Sequence, residues 1–131
     1  MVKKRGNTQE VASERGPVTI EEATTKGDLR SSLAEIKKWD GVVGYILRDE
    51  SSAIVDLNDP AKTTDYAILS SATHEAAEEF STLFGLGKIQ RTVVQGKMIK
   101  MVSLDIDDAR VSVFTEATAD TDKIIKKLQE R

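Results

Sequence analysis

The chain has 131 residues, of which 39% are hydrophobic and 31% are charged, and its formal net charge at pH 7 is -3. This length suits a single domain with a real core. No segment approaches the ~18 consecutive apolar residues of a membrane span, and the negative charge argues against general nucleic-acid binding. The sequence contains no cysteine, which excludes disulfides and thiolate metal sites and fits a cytoplasmic location.

The first 17 residues are polar and are predicted to form a flexible tail, with residues 18–131 as the single domain. Among the first 16 residues, four are basic and two are acidic. Such a tail can touch nucleic acid or an acidic partner, but a solvated tail is the simpler interpretation. No apolar run follows the basic start, so a secretory signal is not expected.

A first helix is predicted from about residue 29 to 38, with Asp28 as its N-cap. Gly27 is expected to divide this helix from a short turn over residues 17–23. Trp39 is the only tryptophan and is predicted to anchor the core. The buried face of the helix is predicted from three residues at helical spacing: Leu29, Leu33 and Ile36.

The stretch from Val42 to Arg48 is apolar on both faces, which is typical of a central strand covered by helices on each side. Its predicted faces are Val42 with Ile46, and Val43 with Tyr45 and Leu47. After a polar turn, residues 52–57 alternate in polarity and are predicted to form a peripheral strand. The inward residues of that strand are predicted to be Ala53, Val55 and Leu57.

The longest helix is predicted from residue 64 or 65 to Phe84, where Gly85 and Gly87 end it. Large apolar residues recur at three- and four-residue steps along it, which predicts a face that packs firmly on the sheet. That face consists of Tyr66, Leu69, Thr73, Ala76, Phe80, Leu83 and Phe84.

Three more strands are predicted over residues 88–95, 97–105 and 109–115, with Gln95-Gly96 as the first connecting turn. A final helix is predicted from residue 120 or 121 to 129, with a short apolar face: Ile124, Ile125 and Leu128. The predicted order is therefore helix, hairpin, long helix, three-stranded meander and helix.

Together with this order, five stretches resemble the Roadblock (dynein light-chain) domain family, in its prokaryotic stand-alone form. The resemblance covers about residues 27–128. The stretches that carry it are Trp39 to Ile46, Ser70 to Phe80, Gly85 to Lys88, Thr92 to Gly96 and Ala109 to Phe114.

The resemblance implies an α/β (α+β) fold of the profilin-like type. Its five-stranded antiparallel sheet carries the long helix on one face and the terminal helices on the other. It also implies a non-enzymatic, cofactor-free module that dimerises by extending the sheet across strand three. Family members act as scaffolds or regulators, often of Ras-like small GTPases, or as motor adaptors. The alternative prediction is a small-molecule sensor with a pocket between helix and sheet. Many members have Asp-Gly in the first hairpin turn, where this chain has Asp49 to Ser52.

No catalytic, cofactor or metal site is predicted. His74 is the only histidine, and although Glu78 lies one helical turn away, a solvated helix face explains the pair better than acid–base chemistry. Asp105, Asp107 and Asp108 lack the glycine and closing glutamate of a calcium loop. The segment from Gly85 to Lys88 precedes a strand, the reverse of the order in a phosphate-binding loop, and is interpreted as a helix stop.

A dimer interface is predicted along the long helix and the edge of strand three. A second stripe on that helix recurs at steps of three and four residues, the period of helices that cross at a shallow angle. Its residues are mostly small, which lets two backbones approach closely; the alternative is a solvent face that happens to be small. The predicted interface consists of Ala67, Ser70, His74, Ala77, Ser81, Ile89, Arg91 and Val93.

Overall fold

The computed structural model describes the backbone of residues 20–130 and the side chains from residue 28 onward. The predicted tail over residues 1–17 therefore lies outside the described residues. In chain order the elements are α1 (Ile20–Lys37), β1 (Val42–Arg48), β2 (Ala53–Leu57), a 3-10 turn (Pro60–Lys62), α2 (Thr63–Phe84), β3 (Arg91–Gln95), β4 (Ile99–Ile106), β5 (Ala109–Glu116) and α3 (Thr121–Glu130).

The five strands form one antiparallel sheet in the order β2-β1-β5-β4-β3. Side chains from α1 and α3 pack on one face of this sheet, and side chains from α2 pack on the other. Three strands, β1, β5 and β4, occupy its interior, and consecutive residues in the middle of each are buried, as a sheet covered by helices on both faces requires. The predicted fold class and element order are confirmed.

Helix α1 is longer than predicted, because it runs through Gly27 without a break. A glycine inside a helix costs only about 1 kcal/mol, and the continuing hydrogen-bond ladder outweighs that cost. Asp28 is an exposed residue within the helix rather than its cap. The predicted apolar faces of the terminal helices are confirmed, since all six residues are buried in one cluster: Leu29, Leu33, Ile36, Ile124, Ile125 and Leu128.

The predicted faces of β1 are wrong at its start. The pairing of β1 with β5 shifts between Val42 and Gly44, and this bulge inserts one residue into the strand. Val42 therefore shares the α1–α3 side with Tyr45 and Leu47, whereas Val43 packs with Ile46 on the α2 side.

The predicted inward face of β2 is correct only at Leu57, which is buried. Val55 is 39% exposed and Ala53 is also exposed. Both lie on an edge strand, and the buried side chains beneath α2 come from β1, β4, β5 and the last residue of β2. Ile54, on the opposite face, packs against the α1–α3 cluster.

Turn chemistry explains the first hairpin, which lacks the Asp-Gly pair. The Asp49 carboxylate accepts hydrogen bonds from the backbone N–H groups of Ser51 and Ser52 at 2.9 and 2.8 Å. A side chain that bonds the backbone two and three residues onward stabilises a turn without glycine. The turn after β4 also differs from a glycine turn, since Asp107 adopts φ 55° there.

Because of Tyr45, the free energy of unfolding is expected to fall at alkaline pH. Burial raises the pKa of the Tyr45 phenol above its usual value near 10, the negative charge of Asp56 adds to the rise, and Arg30 opposes it. The folded protein therefore holds this proton more tightly than the unfolded chain. The stabilisation is complete below pH ~10 and is expected to decline as the pH rises above that value. Urea unfolding between pH 8 and 11 measures it. The prediction fails if Tyr45→Phe loses stability over this range as steeply as the parent.

Candidate interaction surfaces

The C-terminal end of α2 exposes large apolar side chains that were predicted to pack on the sheet. Phe80, Leu83 and Phe84 are 55%, 67% and 70% exposed. Of the predicted packing face, Tyr66 and Leu69 do contact the core, and Tyr66 stacks on Phe114 with ring centroids 4.5 Å apart. The prediction was therefore right for the first half of the helix and wrong for the second.

The sheet explains why the two halves of α2 differ. Beneath the first half, the α2 side of the sheet is apolar, with Ile46, Met101 and Phe114 buried. Further along the same strands, the residues of matching register on that side are polar: Thr92, Ser103, Asp105, Arg110 and Ser112. Among the described side chains, Phe80, Leu83 and Phe84 therefore have no apolar surface of the sheet to cover.

The small stripe of α2, predicted as part of a dimer interface, faces the chain's own sheet instead. Ser70 is 3% exposed and Ala77 is 8% exposed. Ser70 shares a hydrogen bond of 2.7 Å with Ser112, which lies 3.0 Å from Ser103. This buried chain of hydroxyls satisfies groups that would be costly to leave unpaired. Ser70 and Ala77 are inaccessible to a second copy unless α2 lifts away from the sheet.

The other predicted interface residues lie in several places. Ala67 packs against the α2-side core, and the Ser81 hydroxyl donates to the Gly87 carbonyl. Ile89 belongs to the loop before β3, because that strand begins at Arg91 rather than at residue 88. Arg91 and Val93 pair with Leu104 and Val102 of the α1–α3 core, so their side chains lie on the opposite face from α2. The structure does not gather all eight residues into one surface, although five of them line one cleft between α2 and the sheet: His74, Ala77, Ser81, Ile89 and Arg91. The interface stays a prediction.

Two exposed features nevertheless follow one another in the chain: an apolar patch at the end of α2 and the edge strand β3. The apolar patch, as we call it, consists of Phe80, Leu83, Phe84 and Leu86, the last of which is 58% exposed. The chain runs directly from this patch into β3, an edge strand that pairs with β4 on one side only within residues 20–130. Val93 on that strand is 49% exposed. An unpaired strand edge is a ready template for pairing with another chain.

Separate from the apolar patch, a polar cleft of about 400 Å³ lies between the C-terminal half of α2 and strands β3 to β5. The side chains that define its chemistry are His74, Glu78, Thr92, Asp105 and Arg110. The alternative sequence prediction included a pocket between helix and sheet but named no lining residues, because the lining comes from α2, β3, β4 and β5, whose proximity only the fold creates.

The titratable groups of the polar cleft form a chain of contacts. Arg110 Nη2 lies 2.7 Å from His74 Nε2, which lies 3.1 Å from Glu78 Oε2. Arg110 Nε lies 3.4 Å from Asp105 Oδ1 but is buried without a hydrogen-bond partner. His74 is only 24% exposed, so the interpretation of a solvated helix face is wrong for it. Glu78, 69% exposed, does face solvent.

The remaining candidate motifs have structural explanations. Gly85 adopts φ 65° and its N–H donates to the Ser81 carbonyl, which confirms it as the helix stop. Among residues 28–130, no group of three His, Asp or Glu side chains is placed to hold a metal ion. No helix in the described part of the chain is long and apolar enough to cross a membrane.

Comparison with solved structures identifies the fold. A Roadblock/LC7 domain from Streptomyces avermitilis superposes with a TM-score of 0.62 at 14% identity, covering 76% of this chain and 87% of that one. The gliding protein MglB from Thermus thermophilus gives 0.60 at 18% identity, covering 89% and 90%. An MglB described with a tetrameric arrangement gives 0.56 at 16% identity, covering 86% and 85%.

Neither protein-family models nor curated proteins match the sequence. At these identities the superpositions establish architecture rather than activity. The similar structures cover most of the chain and share its five-stranded antiparallel sheet with helices on both faces. The resemblance read from the sequence is thus confirmed in three dimensions, and the chain has the Roadblock fold.

Proposed function

We propose that this chain is a non-enzymatic, dimeric interaction module that regulates a Ras-like small GTPase. The observation that carries the proposal is the apolar patch next to the edge of β3 that no strand within residues 20–130 pairs with. Its four large side chains are each more than half exposed. Burial of such a side chain is worth about 1.5–3 kcal/mol, and clustered apolar exposure marks a surface that another protein covers.

A second copy of the chain is the occupant that best fits both features. Antiparallel pairing of two β3 edges relates the copies by a two-fold axis, so each copy presents the same surface to the other. The same operation would continue the sheet and bring the two apolar patches to the seam. The self-association of the similar MglB with a tetrameric arrangement supports this geometry, as does the family resemblance.

The GTPase partner follows from the resemblance to Roadblock domains, whose members often regulate Ras-like GTPases. The described residues support a role in binding rather than in chemistry. In the polar cleft, the one imidazole contacts an arginine and a glutamate, and no serine or threonine hydroxyl among residues 28–130 bonds to it in a nucleophile–base pair. Regulation would then come from contact with the partner's nucleotide-dependent surface.

Two measurements test the proposal in turn. Light scattering at tens of micromolar should give twice the chain mass of 14.4 kDa. Purified chain should not hydrolyse GTP alone, but it should change the hydrolysis or nucleotide exchange rate of a Ras-like GTPase from the same organism. A monomeric mass would refute the dimer. Intrinsic GTP turnover that co-purifies with the folded protein, or an absence of effect on every such GTPase, would refute the regulatory role.

A further inference from the structure

We infer that the polar cleft is a binding site for a small zwitterion of the amino-acid class. This goes beyond the proposed regulation of a GTPase, because it adds a small-molecule ligand to the module. The volume of about 400 Å³ lies within the range of about 300–1,000 Å³ that small-molecule sites occupy. Threonine and serine residues and six titratable residues line the cleft, so the ligand must itself be polar.

Arg110 is the group suited to receive a carboxylate. A guanidinium offers five donors in a planar fork, yet in this protein Nη2 lies against the His74 ring, at 2.7 Å from Nε2, rather than against a carboxylate. The contact to Asp105 is long, at 3.4 Å, and lacks hydrogen-bond geometry. The bidentate pairing that holds arginines most strongly is therefore missing, although the side chain is 28% exposed.

Contact with the buried Nε requires Arg110 to turn out of its present position, since solvent does not reach that atom. A ligand carboxylate that accepts from Nε and one Nη would draw the guanidinium away from His74. Binding can therefore be followed at the His74 ring, because the environment of the imidazole changes whenever the site is occupied.

The cleft carries both signs of charge, which suits a zwitterion. Two carboxylates, Asp105 and Glu78, line the same space as three cationic residues, Lys88, Arg91 and Arg110. The carboxylates would accept hydrogen bonds from an ammonium group, and the cationic side chains would donate to a carboxylate. A molecule with a carboxylate and an ammonium group a few ångströms apart therefore matches both signs of charge in the cleft.

Serine and two molecules that each lack one of its charges provide the test on the full-length chain. L-serine, 3-hydroxypropanoate, ethanolamine and inorganic phosphate are each titrated while ¹H–¹⁵N and histidine ring resonances are recorded. L-serine should shift the amides of His74, Thr92 and Asp105, the Arg110 Nε–H and the His74 ring in a saturable manner. The three other probes should bind at least tenfold more weakly.

Arg110→Gln should weaken L-serine binding at least tenfold, because it removes a charge-assisted hydrogen-bond donor. Arg30→Gln is the matched control, since it removes an arginine from α1 on the opposite face of the sheet, and it should leave binding unchanged. The inference is overturned if L-serine gives no saturable shifts up to tens of millimolar or if Arg110→Gln binds as the parent does. It is also overturned if phosphate or either single-charge probe binds as well as serine. None of these outcomes depends on the GTPase, so the failures of the two proposals are distinguishable.

Discussion

Replacement of Phe80 by glutamate is expected to convert the proposed dimer into a folded monomer. Phe80 is 55% exposed in the single chain, so its loss removes little from the chain's own core. At the seam of two copies, however, the new carboxylates would be desolvated and would face each other across the two-fold axis. Light scattering should show the mass of one chain at tens of micromolar, while circular dichroism and the unfolding midpoint stay close to those of the parent.

Ile68→Glu is the matched control for this prediction. Ile68 lies on the same helix and is 61% exposed, but twelve residues place it about 120° around the axis from Phe80. We expect Ile68→Glu to remain dimeric. Ala77→Arg should behave differently from both, since Ala77 is 8% exposed against the sheet and an arginine there should destabilise the fold itself. A dimeric Phe80→Glu, or a monomeric Ile68→Glu, would place the seam elsewhere.

Substitution of Gly44 by alanine is expected to lower the free energy of unfolding by about 3 kcal/mol. A Cβ at this position would lie 2.3 Å from the Asp56 carbonyl oxygen and 2.7 Å from the Leu57 Cα. Both contacts are with backbone atoms of β2, which cannot rotate away as a side chain would. The strand can relieve the clash only by separating β1 from β2, and that separation disrupts hydrogen bonds of the sheet. Urea denaturation of the two proteins measures the difference.

Gly85→Ala separates the steric clash from the backbone conformation. Gly85 also has positive φ, at 65°, but a Cβ there would meet nothing within 4 Å. Its loss should amount to about 1 kcal/mol, the cost of a left-handed conformation for a residue with a side chain. If the two alanine variants lose the same stability, the close approach of β2 to Gly44 does not matter.

The sequence predicted the element order and the sheet because hydrophobic periodicity depends on residues within one element. Leu29, Leu33 and Ile36 show their shared helix face at spacings of three and four, and that face is buried as predicted. The bulge in β1 could not be predicted in the same way. The predicted alternation from Val42 to Leu47 assumes a regular strand. One extra residue between Val42 and Gly44 moves the Val42 side chain to the α1–α3 side of the sheet.

The candidate site was less predictable than the fold for a related reason. The residues from Phe80 to Phe84 read as a packing face because they are apolar, but whether such a face docks depends on the surface beneath it. That surface comes from β4 and β5, at positions such as Asp105 and Arg110. Likewise, the sequence shows that Glu78 lies one helical turn after His74. The 2.7 Å contact between His74 and Arg110, however, joins residues 36 positions apart. No local pattern in the sequence encodes that contact.

The pairing of β1 with β5 also limits how early the sheet can form while the chain is being synthesised. The hairpin of β1 with β2 and the meander of β3, β4 and β5 each join neighbouring segments, and such local contacts form fast. The centre of the sheet instead joins Arg48 to Arg110, and closing so long a loop carries an entropic cost before any contact repays it. A nascent chain therefore holds the apolar faces of β1 open until β5 has left the ribosome, and that interval is when it most needs protection from aggregation.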